Sequence, residues 1–222
     1  MLEYSQKIIT FMSKNTSNID LSQYKAFLFD LDGTVLDGSD RHFVQCVLET
    51  GRDFGKNIII SPGTALKQFL RKNFGMGDEE LIKFYDRNKE RMITTPRPVA
   101  FHQDVLAFIA EYSSVPRAIV TNCHDWELAL TENSLNLREV FPTVIYKLGD
   151  IPGKPAPDLY FQAAKTLKVV PSDCLVFEDS ATGIAAGKNA GMTVIGIDRG
   201  THHDFADADL VVASLLELLP NL

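Results

Sequence analysis

"FLFDLDGTVLDG", residues Phe27 to Gly38, decides the fold: an apolar run finishes on two aspartates, Asp30 and Asp32, with one leucine between them and a glycine straight after. A continuous apolar run of this length reads as a strand buried on both faces. In extended backbone, residues two apart point the same way, so Asp30 and Asp32 can face one small volume while Leu31 turns into the core. Gly33 then permits a sharp turn.

Three more runs repeat the pattern: "RAIVTN" (Arg117–Asn122), "CLVFED" (Cys174–Asp179) and "TVIGID" (Thr193–Asp198). "TVIYK" (Thr143–Lys147) and "ADLVV" (Ala208–Val212) are weaker strand signals. Between them lie helical periodicities: Val105, Leu106, Phe108 and Ile109; then Leu159, Tyr160, Ala163, Ala164 and Leu167; then Ile184 through Ala190, stopped by Gly191. Strand and helix in alternation predict an α/β chain with a parallel sheet covered on both sides.

The spacing is uneven, because about ninety residues part the first two runs. The stretch from Gly38 to Pro96 carries helical patterns (Phe43, Cys46, Val47; Leu66, Phe69, Leu70; Leu81, Ile82, Phe84, Tyr85) and one strand-like run, "NIII" at Asn57–Ile60. A small all-helical domain inserted after the first strand is expected. The boundaries read as an N-terminal extension at 1–20, a core made of 21–37 and 97–222, and the insert at 38–96. Gly38 loosens one crossing and Pro96 with Pro98 stiffens the other, so both read as hinges.

The 222 residues, 45% of them hydrophobic, suffice for a sizeable core. A net charge of −7 without a basic run argues against nucleic acid or an anionic membrane as partner. Cys46, Cys123 and Cys174 are far apart and lack Cys-x-x-Cys spacing, which fits a reducing, cytoplasmic setting and neither a disulfide framework nor a zinc site. No signal peptide or membrane span is read, and a monomer or weak dimer is expected.

Each of the three best runs ends in groups a buried sheet should avoid: Asp30 and Asp32, then Thr121 and Asn122, then Glu178 and Asp179. In open parallel sheets the carboxyl edge is where ligands bind. Carboxylates gathered there repel one another and resist desolvation unless a cation joins them, and oxygen ligands of this kind suit Mg2+. In "GDIPGKPAPDLY" (Gly149–Tyr160), Lys154 sits between glycine and proline ahead of a helix, placed as a fixed point charge. A metal, the Thr121 hydroxyl and Lys154 together can hold a phosphoryl group for attack by Asp30.

In order, "DLDGT", "VTN", "GKPAPD" and "FEDSATGIAAGKNAGM" resemble the four signature motifs of the haloacid dehalogenase superfamily, over nearly the whole chain after about Lys25. The resemblance implies a doubly wound parallel sheet, a Rossmann-like core with a mobile helical cap after the first strand, as in the β-phosphoglucomutase and phosphoglycolate phosphatase branch. It implies Asp30 as the nucleophile that forms an aspartyl-phosphate and Asp32 as the acid and base. Thr121 and Lys154 would hold the phosphoryl oxygens. Mg2+ would be bound by the Asp30 carboxylate, the Asp32 carbonyl and Asp179, with Glu178 close by. Asp32 separates phosphate chemistry from carbon–halogen cleavage, in which no alkoxide needs a proton.

The expected activity is therefore hydrolysis of a small phosphorylated metabolite, a sugar phosphate or phosphoglycolate-like ester. The alternatives are a phosphosugar mutase and, outside enzymes, a phosphometabolite-binding sensor. His42, like Asn122, is a substrate-contact candidate, since mutases and several phosphatases of the branch have histidine there. A mutase's substrate-gripping arginine is missing from "ISPGTALKQ" (Ile60–Gln68), leaving Lys83, Arg87 and Arg91 as substitutes. Cys123 and Cys174 read as structural, "KFYDRNKER" as a solvated helix face, and His202 and His203 as surface residues.

Overall fold

The computed structural model describes residues 19–60, 66–200 and 204–220. Most of the N-terminal extension, part of Ile60–Gln68, and His202 and His203 lie outside these.

In chain order the elements are β1 (Ala26–Phe29), β2 (Leu36–Asp37), α1 (Ser39–Asp53), α2 (Leu66–Phe74), α3 (Asp78–Thr94), β3 (Ala100–Phe101), α4 (Gln103–Glu111) and β4 (Arg117–Thr121). Then come α5 (Asp125–Ser134), α6 (Leu137–Val140), β5 (Thr143–Tyr146), α7 (Asp158–Leu167), β6 (Cys174–Glu178), α8 (Ala181–Asn189), β7 (Thr193–Ile197) and β8 (Leu210–Val212). Six strands form one parallel sheet in the order β5-β4-β1-β6-β7-β8. Both weaker strand signals belong to it, as β5 and the edge strand β8.

The strands are apolar on both faces because both faces are covered. Along β1, Phe27 and Phe29 enter one layer with Phe108, Phe141 and Phe177, while Ala26 and Leu28 enter the other with Val120, Leu159 and Ile184. The rings of Phe29 and Phe177 stack at 4.6 Å across adjacent strands. Pairs of this kind add about 0.5–1.5 kcal/mol to what burial contributes. The sheet edge beyond them is thereby held rigid.

The helices α1 to α3 pack round a separate cluster of Val47, Leu66, Leu70, Met76, Leu81 and Phe84. Asn57–Ile60 has no regular structure. The two crossings between sheet and insert pair as a short antiparallel ribbon, Leu36 with Phe101 and Asp37 with Ala100. Gly38 adopts φ +89° there, and a Cβ on it would run into the Pro98 carbonyl. Only glycine lets the crossings pass this closely. No described helix is long and apolar enough to cross a membrane.

Candidate active site

β1 lies between β4 and β6, where the connections leave in opposite directions, so the crevice opens at its carboxyl end. Asp30 follows β1 and still donates its amide to the Phe177 carbonyl at 3.0 Å. Thr121 closes β4, Glu178 closes β6 and Asp179 comes next. A cavity of about 270 Å³ opens here, its lining including Asp30, Asp32, Thr121, Asn122, Lys154 and Asp179. Asp40, Cys123 and Glu127 line it too.

Lys154 is the hub. Its Nζ donates to Asp30 Oδ1 at 2.6 Å and also to Glu178 Oε1. The same Glu178 oxygen accepts from the Tyr160 hydroxyl at 2.9 Å, and Oε2 accepts from the Ser180 hydroxyl at 3.1 Å. Glu178 is fully buried, and a Cβ on Gly183 would overlap its carboxyl group, so α8 begins tight against it. Burial alone would lower the Lys154 pKa, but Asp30 and Glu178 outweigh it and the net shift is upward. Its two carboxylate partners thus favour the charged ammonium.

One lysine does not balance the acids. Burial raises the Asp30 pKa well above the usual carboxylate range against the opposing pull of Lys154. Burial, then repulsion from Asp30, Glu178 and Asp40, lifts Asp179 to about 9. Oxygens of Asp30, Glu178 and Asp179 lie within 4.8 Å of one another. Such an all-oxygen set, short of positive charge, suits a hard divalent cation.

Asp32 lines the same cavity and has partners of its own. Its Oδ1 accepts from Arg97 Nη2 at 3.1 Å and its Oδ2 from the Cys123 thiol at 3.0 Å. The Thr121 hydroxyl accepts from the Cys123 amide at 3.1 Å, which leaves its own hydrogen free to donate into the cavity. Asn122 clasps the Lys154 backbone, donating to its carbonyl at 3.2 Å and accepting from its amide at 2.8 Å. That holds the lysine loop in place. His42 is buried away from the cavity lining, its Nε2 3.3 Å from the Thr95 carbonyl.

The basic residues proposed as substitutes for a cap arginine are already paired. Lys83 meets Glu79, Arg87 meets Asp53 and Glu90, and Arg91 meets Glu49 and Asp53. None of the three lines the cavity. The sequence alone marks neither Arg97 nor Cys123 as a neighbour of Asp32: the prolines of "TTPRPV" read as a hinge, and Cys123 reads as structural. Cys123 instead borders the cavity, because the loop after β4 folds back over Asp32. No local pattern marks either contact.

The family model for haloacid dehalogenase-like hydrolases matches residues 24–191, and the chain belongs to that family. A β-phosphoglucomutase of Bacillus subtilis is 26% identical over 87% of this chain and 91% of its own. A validoxylamine A 7'-phosphate phosphatase of Streptomyces hygroscopicus is 29% identical over 88% and 96%. A bifunctional riboflavin kinase/FMN phosphatase of Arabidopsis thaliana is 37% identical over 43% of this chain, which spans only 29% of that longer protein. Among solved structures, a haloacid dehalogenase hydrolase from Entamoeba histolytica matches with a TM-score of 0.73 at 25% identity, over 87% of this chain and 94% of the other.

Proposed function

We propose that the chain is a Mg2+-dependent phosphatase that hydrolyses a small phosphorylated metabolite through an aspartyl-phosphate on Asp30, with residues 38–96 acting as the cap. The observation that carries this is the 2.6 Å bond from Lys154 to Asp30 Oδ1, at a sheet edge where three carboxylates converge. Lys154 orients one oxygen of Asp30 and leaves the other for in-line attack. Asp30, Asp179 and the Asp32 carbonyl would hold the metal, with Glu178 behind them, and the metal would neutralise charge on the phosphoryl oxygens.

The first step forms the Asp30 O–P bond and breaks the ester P–O bond, Asp32 giving its proton to the departing alkoxide. Lys154 and the Thr121 hydroxyl hold the equatorial oxygens. In the second step Asp32 takes a proton from water, the hydroxide attacks phosphorus and the Asp30–P bond breaks. Asp32 regains its proton, so the cycle consumes one ester and one water and yields an alcohol and phosphate.

Similarity to a β-phosphoglucomutase favours phosphoryl transfer between sugar positions as the second reading. A mutase must hold two phosphates. Lys154 is the only cation lining the cavity among the described residues, and Lys83, Arg87 and Arg91 are spent on cap acids, so hydrolysis of a monophosphate ranks first. The proposal includes a reducing, cytoplasmic setting, which free thiols at Cys46, Cys123 and Cys174 would suit. Phosphate release from p-nitrophenyl phosphate with Mg2+ tests the assignment: Asp30→Asn should abolish it, and full activity in that variant would refute it.

A further inference from the structure

Arg97 lies on the return crossing between α3 and β3, and its side chain is only 9% exposed. Besides Asp32, it donates through Nη1 to the Thr131 hydroxyl and, at 3.5 Å, to the Glu127 carbonyl, both on α5. Its Nε is buried without a partner. The guanidinium therefore spans from the insert's hinge, across helix α5, to the side chain that the proposed mechanism uses as acid and base. With Cys123 on the second oxygen, Asp32 has both lone-pair edges held. One donor on each oxygen, the guanidinium on Oδ1 and the thiol on Oδ2, fixes the carboxylate's plane as well as its position.

We propose that Arg97 is a positioning residue that holds the Asp32 carboxylate where it can deliver a proton to the leaving oxygen. This rests on the phosphatase reading. Small displacements of an acid from its reaction geometry cost rate, and a positioned acid contributes about 10²–10⁴-fold. The demand for that proton depends on the leaving group: p-nitrophenolate departs readily without one, and phenolate, the more basic leaving group of phenyl phosphate, needs it more.

The test compares kcat/KM on these two esters with Mg2+, since kcat/KM covers only the steps up to leaving-group departure. Arg97→Ala should lose about tenfold more on phenyl phosphate than on p-nitrophenyl phosphate, a part of what a positioned acid contributes. Arg97→Lys, which keeps the charge without the guanidinium, should fall between Arg97→Ala and the parent. Equal losses on both esters would mark Arg97 as a mere tie between hinge and helix, and would overturn the inference. If Arg97→Ala fails to fold, Thr131→Val keeps the charge and removes its anchor; it should open the same gap to a smaller degree, and no gap would count against the proposal. A parent protein that hydrolyses neither ester refutes the phosphatase reading itself and takes this inference with it.

Discussion

The Lys154 ammonium is shared between Asp30, which faces the cavity, and Glu178, which has no solvent exposure at all. One cation thus serves the chemistry and the core together. Lys154→Met should abolish phosphatase activity and also destabilise the fold, because it leaves Glu178 buried without its counter-charge. Breaking a buried pair from one side costs about 3–5 kcal/mol. The double variant Lys154→Met/Glu178→Gln should recover most of that stability in urea unfolding while remaining inactive. Equal midpoints for the single and double variants would show that Glu178 does not depend on the lysine.

Removing the metal should be felt by the fold as well as by turnover. A ligand that binds only the native state adds about 2.7 kcal/mol at a hundred times its Kd. Mg2+ should therefore raise the Tm of the parent protein, and EDTA should reverse the rise. Asp179→Asn removes one of the three converging carboxylates. It should lose most of the Mg2+ shift, and an undiminished shift would place the ion elsewhere.

Much of this was legible in the sequence, for one physical reason. Strands buried on both faces must be almost wholly apolar, so β1, β4 and β6 stand out, and the polar residues that end them, Asp30, Thr121 and Glu178, mark the edge where a ligand fits. The ribbon of β2 and β3 was not legible, because two residues per strand carry no periodicity. Nor were the contacts to Asp32, which join residues 65 and 91 positions apart through tertiary folding alone. The same holds for the pairing of Arg87 and Arg91 with acids on α1: the composition of "KFYDRNKER" shows charge but not its partners. His42 reads as a substrate contact from its place after Asp32, whereas α1 carries it against the hinge at Thr95.

A second ion pair sets the response to acid. Asp104, at the start of α4, accepts from both Nη atoms of Arg199 at 3.1 Å, from the Leu215 amide at 3.0 Å and from the Ser214 hydroxyl at 3.0 Å. Burial pushes its pKa up, but Arg199 and these donors outweigh it, and the net shift is downward from 3.8. A carboxyl group whose folded pKa lies below its unfolded one contributes stability that is present above the unfolded value and lost as pH falls through the folded value. Asp104→Asn should therefore be less stable than the parent at pH 7, with the gap closing below about pH 4, where the unfolded group takes up its proton. Urea unfolding across pH 3–7 reads this directly. A gap that stays constant with pH would assign the loss to packing instead of charge.

The hinge offers the sharpest backbone test. Gly38 holds φ +89° beside the Pro98 carbonyl, and its Cβ position is already occupied by that oxygen. Gly38→Ala meets two penalties at once, a left-handed backbone and a collision with main chain that cannot rotate away. Strain of the first kind costs about 1–3 kcal/mol, and separating the crossings adds to it. Because Arg97 leaves the chain next to Pro98, any shift that relieves the collision also moves the guanidinium relative to Asp32. Gly38→Ala should thus lower the unfolding midpoint and reduce kcat/KM more on phenyl phosphate than on p-nitrophenyl phosphate, in the direction set by Arg97→Ala. Gly55, with φ +65° and open space round its Cβ, serves as the control: Gly55→Ala carries the backbone strain without the collision and should alter stability while leaving the ratio between the two esters unchanged.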